Sequence, residues 1–488
     1  MGRETCQSGK YRGTSKEIVI TRFRKDLPRM PHHTASGPEE ANADSLSQQI
    51  VGCLQRLIEP SDPPAAAVSR PRGRPAVLSS EHLCLAVLLA LLRGLKSYAC
   101  VWRLITWSGV GHFPLLPHTR DAIRKRLLHT SLDVWQRLLL RVSTGLHAQT
   151  QAVAQCDLLP WVSHIFALDQ TTLDAVQRRM QDVRDEAVDS PRLLVGRLAA
   201  LFDVRRQQWV RILFREDVFA NEKLLVQDVV RGLPAGSLLL ADLGYFSFPW
   251  FDWLTDQGFF WLSRMREKTS YQILHVFVQQ GTTLDALVWL GAYRADRCAH
   301  RVRLIQFEHH GKLYQYLTNI CEPDRLSMSE AARLYARRWE IELAFKALKC
   351  TLGIRVWWSC DPLLVLQQLF AAFILAQVLH ALHAQVAFAA QVPLFDVSLP
   401  VLATLLAQAP TRSGGQPLIQ RLLEVGRRQG LIRPSRRIEP AVPALLRSYT
   451  PAPPDLPTIR PPRYAHRVRQ GRSDRPDFVP RFFTFIVI

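Results

Sequence analysis

Apolar and polar positions follow two different patterns along the chain, and the change comes near residue 164. Before it, residues 79–150 have the spacing of several short helices, and 83–92 is almost continuously apolar. After it, apolar runs of strand length alternate with turn residues and two amphipathic stretches, in the order β-β-β-α-β-α-β. The pattern predicts an α/β fold preceded by a compact helical unit.

The predicted elements of the α/β part are short, and its first and fourth strands are each followed directly by an aspartate. The strands are 164–168, 195–203, 209–215, 237–241 and 258–264, and the helices are 221–232 and 249–256. Residues 267–322 alternate further β-type runs with turns, which predicts a β-rich insertion. A capping box, Ser327-x-x-Glu330, then opens a long helix to about Cys350, and a mostly apolar helix occupies about 363–390.

Composition and charge restrict the class of protein and its partners. The 48% of hydrophobic residues excludes a globally disordered or fibrous chain. Lys and Arg number 62 against 42 Asp and Glu, a formal charge of +20, which predicts a polyanionic partner. Several Gln and His residues interrupt the apolar stretch 363–390, as is typical of a buried core helix. The expected partner is therefore nucleic acid, with no membrane.

The nine cysteines are scattered, and none of them forms a C-x-x-C pair. This spacing argues against a structural zinc site and against a disulfide framework. It favours reduced thiols that pack as small apolar residues, as in a cytosolic protein.

Asp169 and Asp242 stand at the ends of apolar strands, where an unpaired carboxylate is costly. If the two strands are neighbours in one sheet, the aspartates form a paired metal site. The alternative is that each aspartate caps a helix or forms a turn, which is common for a single such residue.

One stripe of the predicted helix 328–350 carries four chemically different side chains. At about 100° per residue, all four fall within a sector of roughly 60°. The alternative is an exposed ion pair between positions i and i+4, which contributes little. The four residues are Tyr335, Arg338, Glu342 and Lys349.

Three carboxylates from separate elements suit a hard divalent cation. Asp169, Asp242 and Glu342 can hold Mg²⁺ or Mn²⁺ loosely enough for a substrate phosphate to join. Two ions per site, about 4 Å apart, can activate an attacking oxygen and stabilise a leaving one. Arg338 and Lys349 can hold phosphates, the first as a fork and the second as a point charge.

The motif Tyr335-x2-Arg338-x3-Glu342-x6-Lys349 resembles the Y-REK signature of bacterial insertion-sequence transposases of the DDE class. Asp169-Gln170-Thr171-Thr172 resembles the first motif of that family, and Asp242-Leu243-Gly244-Tyr245 resembles the second. Leu243 replaces a residue that is usually basic in the second motif. The resemblance covers about 150–390 and implies an RNase H-like mixed sheet flanked by helices, with a β-rich insertion.

Composition, pattern and the resemblance together predict four regions of the chain. Residues 1–75 are a basic leader and linker, and 76–155 form a helical DNA-binding domain. Residues 156–390 form the catalytic domain, with the insertion at about 267–325, and 391–488 are helical and then rich in Arg and Pro.

The resemblance also implies the reaction and its partners. Such enzymes bind the inverted repeats at element ends, cleave them by metal-dependent hydrolysis and transfer the 3′-hydroxyls into target DNA. Many of them act as homodimers in a synaptic complex on double-stranded DNA, here in the bacterial cytoplasm at the nucleoid. Some use a DNA hairpin with a flipped base, for which Trp289 is a candidate. Further candidate DNA-binding residues are Arg264, Arg124, Lys125 and Arg126.

Several alternatives stay open at the level of sequence. The chain can be a catalytically inactive DNA-binding derivative of a transposase, or a sequence-tolerant nuclease. Asp174 competes with Asp169 for the first position, while the acidic cluster at 182–189 is typical of a solvated helix end. His380 and His383 share a helix face and favour a role in the core. The Arg-Gly-Arg at 72–74 suits either a basic linker or a minor-groove contact.

Overall fold

In a computed structural model of the chain, the described residues are 77–111, 113–150, 158–172, 197–215, 222–292, 296–359, 361–408, 418–437, 439–446, 448–464 and 482–486. The predictions for residues 1–76, for Asp174 and for the acidic cluster at 182–189 lie outside these ranges.

One mixed sheet of ten strands organises the described residues, in the order β10-β3-β2-β1-β4-β5-β9-β8-β7-β6. Strands β1, β4 and β5 run parallel to one another, and every other neighbouring pair is antiparallel. The strands are β1 Ile165–Thr172, β2 Arg197–Asp203, β3 Gln208–Arg215, β4 Leu238–Ala241, β5 Phe260–Arg264, β6 Tyr271–Gln280, β7 Thr283–Leu290, β8 Val302–His309, β9 Lys312–Thr318 and β10 Phe482–Ile486.

Helices cover both faces of the central strands. Alternate residues of a strand point to opposite faces, and the buried side chains accordingly fall into two clusters. Ala167, Leu240 and Leu262 belong to the cluster that contains α7–α9, while Leu168 and Ala241 belong to the cluster with α5 and α6. The helices are α1 Ser80–Leu92, α2 Tyr98–Arg103, α3 Arg120–Leu128, α4 Leu132–Thr150, α5 Glu222–Val230, α6 Phe248–Asp256, α7 Met328–Arg337, α8 Glu340–Lys346, α9 Pro362–Ala389, α10 Leu399–Gln408 and α11 Leu418–Gly426.

Helix α9 is the centre of the larger cluster. Its stretch Leu363–Ala389 is long and apolar enough to cross a membrane, but 94% of it is buried inside the protein. Two of its buried glutamines have partners inside the fold: Gln377 donates to the backbone of Trp209 and Gln367 to the carbonyl of Leu127. The interrupted apolar pattern thus belongs to a buried core helix. Helices α1 to α4 contribute to the same cluster.

The β-rich insertion extends the central sheet as further strands. Strand β9 pairs with β5 through Leu262 opposite Thr318, and β8, β7 and β6 follow outward. The sequence predicts three of these strands but not β7, all eight residues of which are buried. A strand that is covered on both faces lacks the alternation that marks a half-exposed strand.

Two elements differ in extent from the sequence prediction. Strand β1 continues past Asp169 to Thr172, because β2 goes on pairing with it after its parallel pairing with β4 has ended at Leu168. The predicted helix 328–350 is divided into α7 and α8 and ends in a π-type turn, Ala347–Thr351. At the division, Arg437 from the C-terminal region donates to the carbonyl of Ala336, and this tertiary contact accompanies a tightened turn.

The proline-rich segment 448–464 has no helix or named strand and lies along the insertion. Thr450 and Thr458 make backbone hydrogen bonds to Phe277 and Arg301, and Tyr464 donates to Asp252. Beyond it, β10 pairs with β3 at the opposite edge of the sheet. The sequence did not predict that this region adds a strand.

Candidate active site

Asp169, Asp242 and Arg264 occupy one row across the three parallel strands. Leu168 is paired with Ala241 and Ala241 with Ser263, so the next residue of each strand lies at the same level. Neighbouring strands are about 4.8 Å apart. By the alternation of faces, the row lies on the side of the sheet that carries α7, α8 and α9. The two aspartates that the sequence predicts to be neighbours are therefore adjacent.

Asp169 is half-buried in β1, and one of its carboxylate oxygens accepts a hydrogen bond from the amide of Gln170 at 2.8 Å. Burial raises the pKa of Asp169 to about 6. The amide of Gln170 and the charge of Arg338 lower that pKa, while the negative charges of Glu342 and Asp242 raise it. The pKa of Asp169 therefore depends on both other predicted site carboxylates, Asp242 and Glu342.

Asp242 stands just after β4, at the first position of a short 3-10 turn, Leu243–Tyr245, but its side chain does not cap that turn. The alternative interpretation as a capping residue is thus not supported for Asp242. Tyr335 donates its phenolic hydrogen bond to the carbonyl of Ala241, at 3.4 Å. This contact ties α7 to the end of β4 directly beside Asp242.

Glu342 on α8 is paired with Arg338, four residues earlier, and the ion pair that the sequence offered as an alternative does form. It is not a surface pair, because Arg338 is only 6% exposed. Burial lowers the pKa of Arg338, but the hydrogen bond to Glu342 and the charges of Tyr335, Asp242 and Glu342 outweigh it and the pKa is raised. The guanidinium is thus firmly cationic. Its Nη1 is buried and has no hydrogen-bond partner among the described residues.

Lys349 lies in the π-type turn after α8, and its ammonium donates to the hydroxyl of Thr171. Thr171 is two residues after Asp169, so it lies on the same face of β1. The last residue of the helix motif is thus joined to the first strand motif. Together with the contact of Tyr335 to β4, this places both ends of the motif against the row of aspartates.

The side chains of Asp169, Asp242 and Glu342 do not converge on one metal position in this conformation. Within the described ranges, no three or more His, Cys, Asp or Glu side chains are grouped closely enough to hold an ion. The donor type nevertheless fits a divalent cation, because all three side chains are carboxylates. Burial is the main cause that raises the pKa of Asp169, and the negative charges of Glu342 and Asp242 add to it. To bind a metal ion, Glu342 would have to release Arg338, with which it forms an ion pair.

The predicted DNA-binding arginines and lysines divide into two groups. Arg264 lies in the row beside Asp242. Arg124, Lys125 and Arg126 lie on α3, a separate helix that is packed against α9 through Ile123 and Leu127. Arg124 and Lys125 are exposed there, and Arg126 is half-buried. The structure therefore does not bring the α3 residues into the carboxylate row.

Trp289 lies in β7 and is only 5% exposed. The guanidinium of Arg460 covers its ring, with the guanidinium carbon 4.8 Å from the ring centroid. This is the environment of a packed strand residue, and it does not present the ring to a base.

Arg266 is a second basic residue at the end of the predicted strand 258–264, where the sequence predicts that it can reach DNA phosphate, as Arg264 can. It donates to the carbonyl of Leu243 at 3.2 Å, and its guanidinium carbon is 5.2 Å from the centre of the Phe246 ring. It brings a positive charge to the position where Leu243 lacks one. Nothing in the sequence indicates this link between Arg266 and Leu243, because the contact joins two separate segments.

Comparisons with known proteins agree with the geometry in part. The chain is similar to a piggyBac transposase in a cryo-EM structure of a synaptic complex with hairpin DNA, at 8% identity and a TM-score of 0.38 over 80% of this chain and 82% of that one. A TM-score at this level carries no argument. No curated protein matches the chain. A family model described as "Transposase DDE domain" matches residues 164–378, the segment that holds Asp169, Asp242, Glu342 and Lys349.

Proposed function

We propose that the protein is a DDE transposase that binds inverted repeats at element ends, cleaves them and transfers the 3′-hydroxyl ends into target DNA. The observation that carries the proposal is the row of Asp169 and Asp242 on adjacent parallel strands, with Glu342 on α8, the helix that packs against β1. The mixed sheet that holds this row supports an RNase H-like core. The spacing of the helix motif supports the Y-REK group of bacterial insertion sequences.

Asp169, Asp242 and Glu342 are the proposed ligands of two Mg²⁺ or Mn²⁺ ions. Such ions, when bound, activate the attacking oxygen and stabilise the leaving oxygen of a phosphodiester. The protein contributes three oxygen donors on rigid elements: two on the central sheet and one on α8, which packs against β1. Glu342 becomes available when its partner Arg338 turns to an anion.

Arg338 is suited to bind the substrate phosphate. Its Nη1 donor is buried without a partner in the described ranges, while its other terminal nitrogen is bound to Glu342. A phosphate oxygen that accepts from Nη1 satisfies this donor and draws the guanidinium away from Glu342. Lys349 and Arg264 add positive charge beside Thr171 and Asp242, respectively. Substrate binding and release of the third acid are thereby coupled.

Double-stranded DNA at element ends and at the target is the proposed partner, and a homodimer is the proposed active species. The net charge of +20 supports long-range attraction to DNA. Arg124 and Lys125, exposed on α3, are the proposed contacts away from the cleavage site. Action on bacterial DNA places the protein in the cytoplasm, at the nucleoid.

A catalytically inactive DNA-binding derivative is the second candidate. The observation in its favour is that Glu342 is ion-paired and no three acids are grouped around a metal position among the described residues. Its three motif acids and the four-residue helix motif are nevertheless all present, as an active enzyme requires.

The deciding experiment uses labelled DNA that carries the inverted repeat flanking the coding region. We expect nicking at the repeat that requires Mg²⁺ or Mn²⁺, followed by strand joining to a target plasmid. Asp242→Asn should abolish both steps and keep binding to the repeat, whereas Asp228→Asn, an exposed control on α5, should change neither. Binding without metal-dependent nicking would establish the inactive derivative, and nicking without joining a nuclease.

A further inference from the structure

A cavity of about 690 Å³ lies behind the helix that carries Glu342 and Lys349. Leu343, Lys346, Ala347 and Cys350 line it, at the i, i+3, i+4 and i+7 positions of one helical stripe. Glu342 and Lys349 lie on a neighbouring stripe, where they contact Arg338 and Thr171, respectively. The cavity is therefore a separate space that shares a wall with the candidate active site.

The cavity is built like a small-molecule site. Its volume is within the range of about 300–1,000 Å³ that is usual for ligand pockets. Most of its lining is apolar and comes from α1, α10 and the turn before α10, including Leu92, Leu394, Phe395, Leu399 and Ala403.

His380 gives this cavity a polar anchor. The side chain lines the cavity and is only 4% exposed, yet neither ring nitrogen has a hydrogen-bond partner within the part of the chain that the structure describes. Burial lowers the pKa of His380 to about 3, so the ring is neutral and offers one donor and one acceptor. Nearby His383 uses Nε2 for the carbonyl of Val397 at 2.7 Å and leaves Nδ1 unpaired.

The charges of the lining favour an anion. Glu340 is the acid in the wall, and it is bound by Arg337 and by the amide of Gln207. Arg93 and Lys346 also line the cavity, and both are exposed, so its wall reaches the surface beside two cations. A ligand thus meets apolar surface and a neutral imidazole inside, and positive charge outside.

We propose that this cavity binds an amphipathic small-molecule anion, whose ring or acyl body fills the apolar interior and whose polar group hydrogen-bonds to His380. The acidic end of the ligand lies toward Arg93 and Lys346. Because α8 forms one wall, the bound ligand stiffens the helix that carries Glu342. The binding step is independent of the DNA-cleaving function proposed above; only an effect on cleavage rests on it.

The test uses 1-anilinonaphthalene-8-sulfonate, which combines an apolar body, an N–H donor and an anionic sulfonate. Its fluorescence is titrated on the full chain and on Thr404→Trp, which fills the cavity wall from an exposed position on α10. Thr144→Trp is the matched control, because Thr144 is likewise exposed on a helix and also donates to the carbonyl four residues earlier. We expect saturable one-to-one binding that is weakened at least about tenfold by Thr404→Trp and unchanged by Thr144→Trp.

A second variant examines the anchor. His380→Phe keeps the shape of the ring and removes both nitrogens, and we expect it to weaken binding about three- to tenfold, the usual effect of one lost hydrogen bond. Hydrogen exchange should also show that the probe protects amides of 340–351, a readout that needs no DNA or catalysis. Equal affinity of the parent and Thr404→Trp, or of the parent and His380→Phe, would overturn the proposal.

Discussion

Asp169 and Asp242 stand at the same level on two neighbouring parallel strands, one residue beyond the pair formed by Leu168 and Ala241. β1 runs on past this level because β2 continues to pair with it, whereas β4 ends here. One carboxylate thus projects from within a strand and the other from a strand end. Burial within β1 raises the pKa of Asp169 to about 6.

The contact between Lys349 and Thr171 predicts a role in placing the substrate phosphate. We expect Lys349→Ala to weaken engagement of DNA at the cleavage site more than binding to the distal part of the repeat, because a single point charge beside Asp169 is removed. Thr171→Val should have a smaller effect in the same direction, since it removes one contact of the ammonium and keeps its charge. Footprinting of the cleavage site and of the distal repeat measures both; equal loss at the two positions would indicate a general electrostatic role.

Leu243 stands where the second motif usually has a basic residue, and Arg266, just after β5, contacts its carbonyl. We predict that Arg266 supplies the phosphate contact that Leu243 cannot make. We expect Arg266→Ala to reduce the slope of log K against log salt by about one, the change for one phosphate contact. Arg231→Ala is the control, because Arg231 is exposed and pairs only locally with Asp228. An unchanged slope for Arg266→Ala would remove this residue from the DNA-binding surface.

The insertion contains a fully buried ion pair that predicts a large effect on stability. Arg303 forms a two-pronged contact with Asp285, at 2.6 and 2.7 Å, and also donates to the carbonyl of Leu326 just before α7. We expect Asp285→Ala to lower the free energy of unfolding by about 3–5 kcal/mol, because it leaves a buried charge unpaired. Denaturant titration measures this. Asp228→Ala breaks an exposed pair and should leave stability nearly unchanged; similar values for the two variants would contradict the account.

Because His380 and His383 are buried, we predict that the free energy of unfolding decreases as the pH falls. Burial lowers their pKa values from 6.5 to about 3 and about 4. Below pH 6.5 the unfolded chain binds protons that the folded chain does not, so stability declines as pH decreases, by about 1.4 kcal/mol per unit for each histidine. His380→Phe should make this decline shallower between pH 6 and about 4, and His129→Phe, at an exposed position, should not. Unfolding curves between pH 6 and about 4 test this prediction. Parallel declines for the parent, His380→Phe and His129→Phe would contradict it.

The parts of the fold that were predictable from sequence are those with local signals. The predicted capping box of Ser327 and Glu330 opens α7, and β4 precedes Asp242 as expected. The parts that were not predictable depend on distant segments. Strand β10 pairs with β3 from the far end of the chain, and the division between α7 and α8 accompanies the contact from Arg437.

The candidate site shows the same limit. Spacing alone identified its acids and the Arg338–Glu342 pair, because these are local features. Register is not local, so the level that Asp169 and Asp242 share was not visible in the sequence. The roles of these residues, and the domain boundaries, stay predictions.

Iron-directed cleavage of the polypeptide tests the central claim, that three remote carboxylates hold shared metal ions. Fe²⁺ bound with ascorbate and peroxide generates radicals that cut the backbone next to its ligands. We predict cuts near residues 169, 242 and 342 together, all suppressed by excess Mg²⁺ and by Asp169→Asn but not by Asp228→Asn. Cuts at only one of the three segments, or cuts that Asp169→Asn leaves unchanged, would contradict the account.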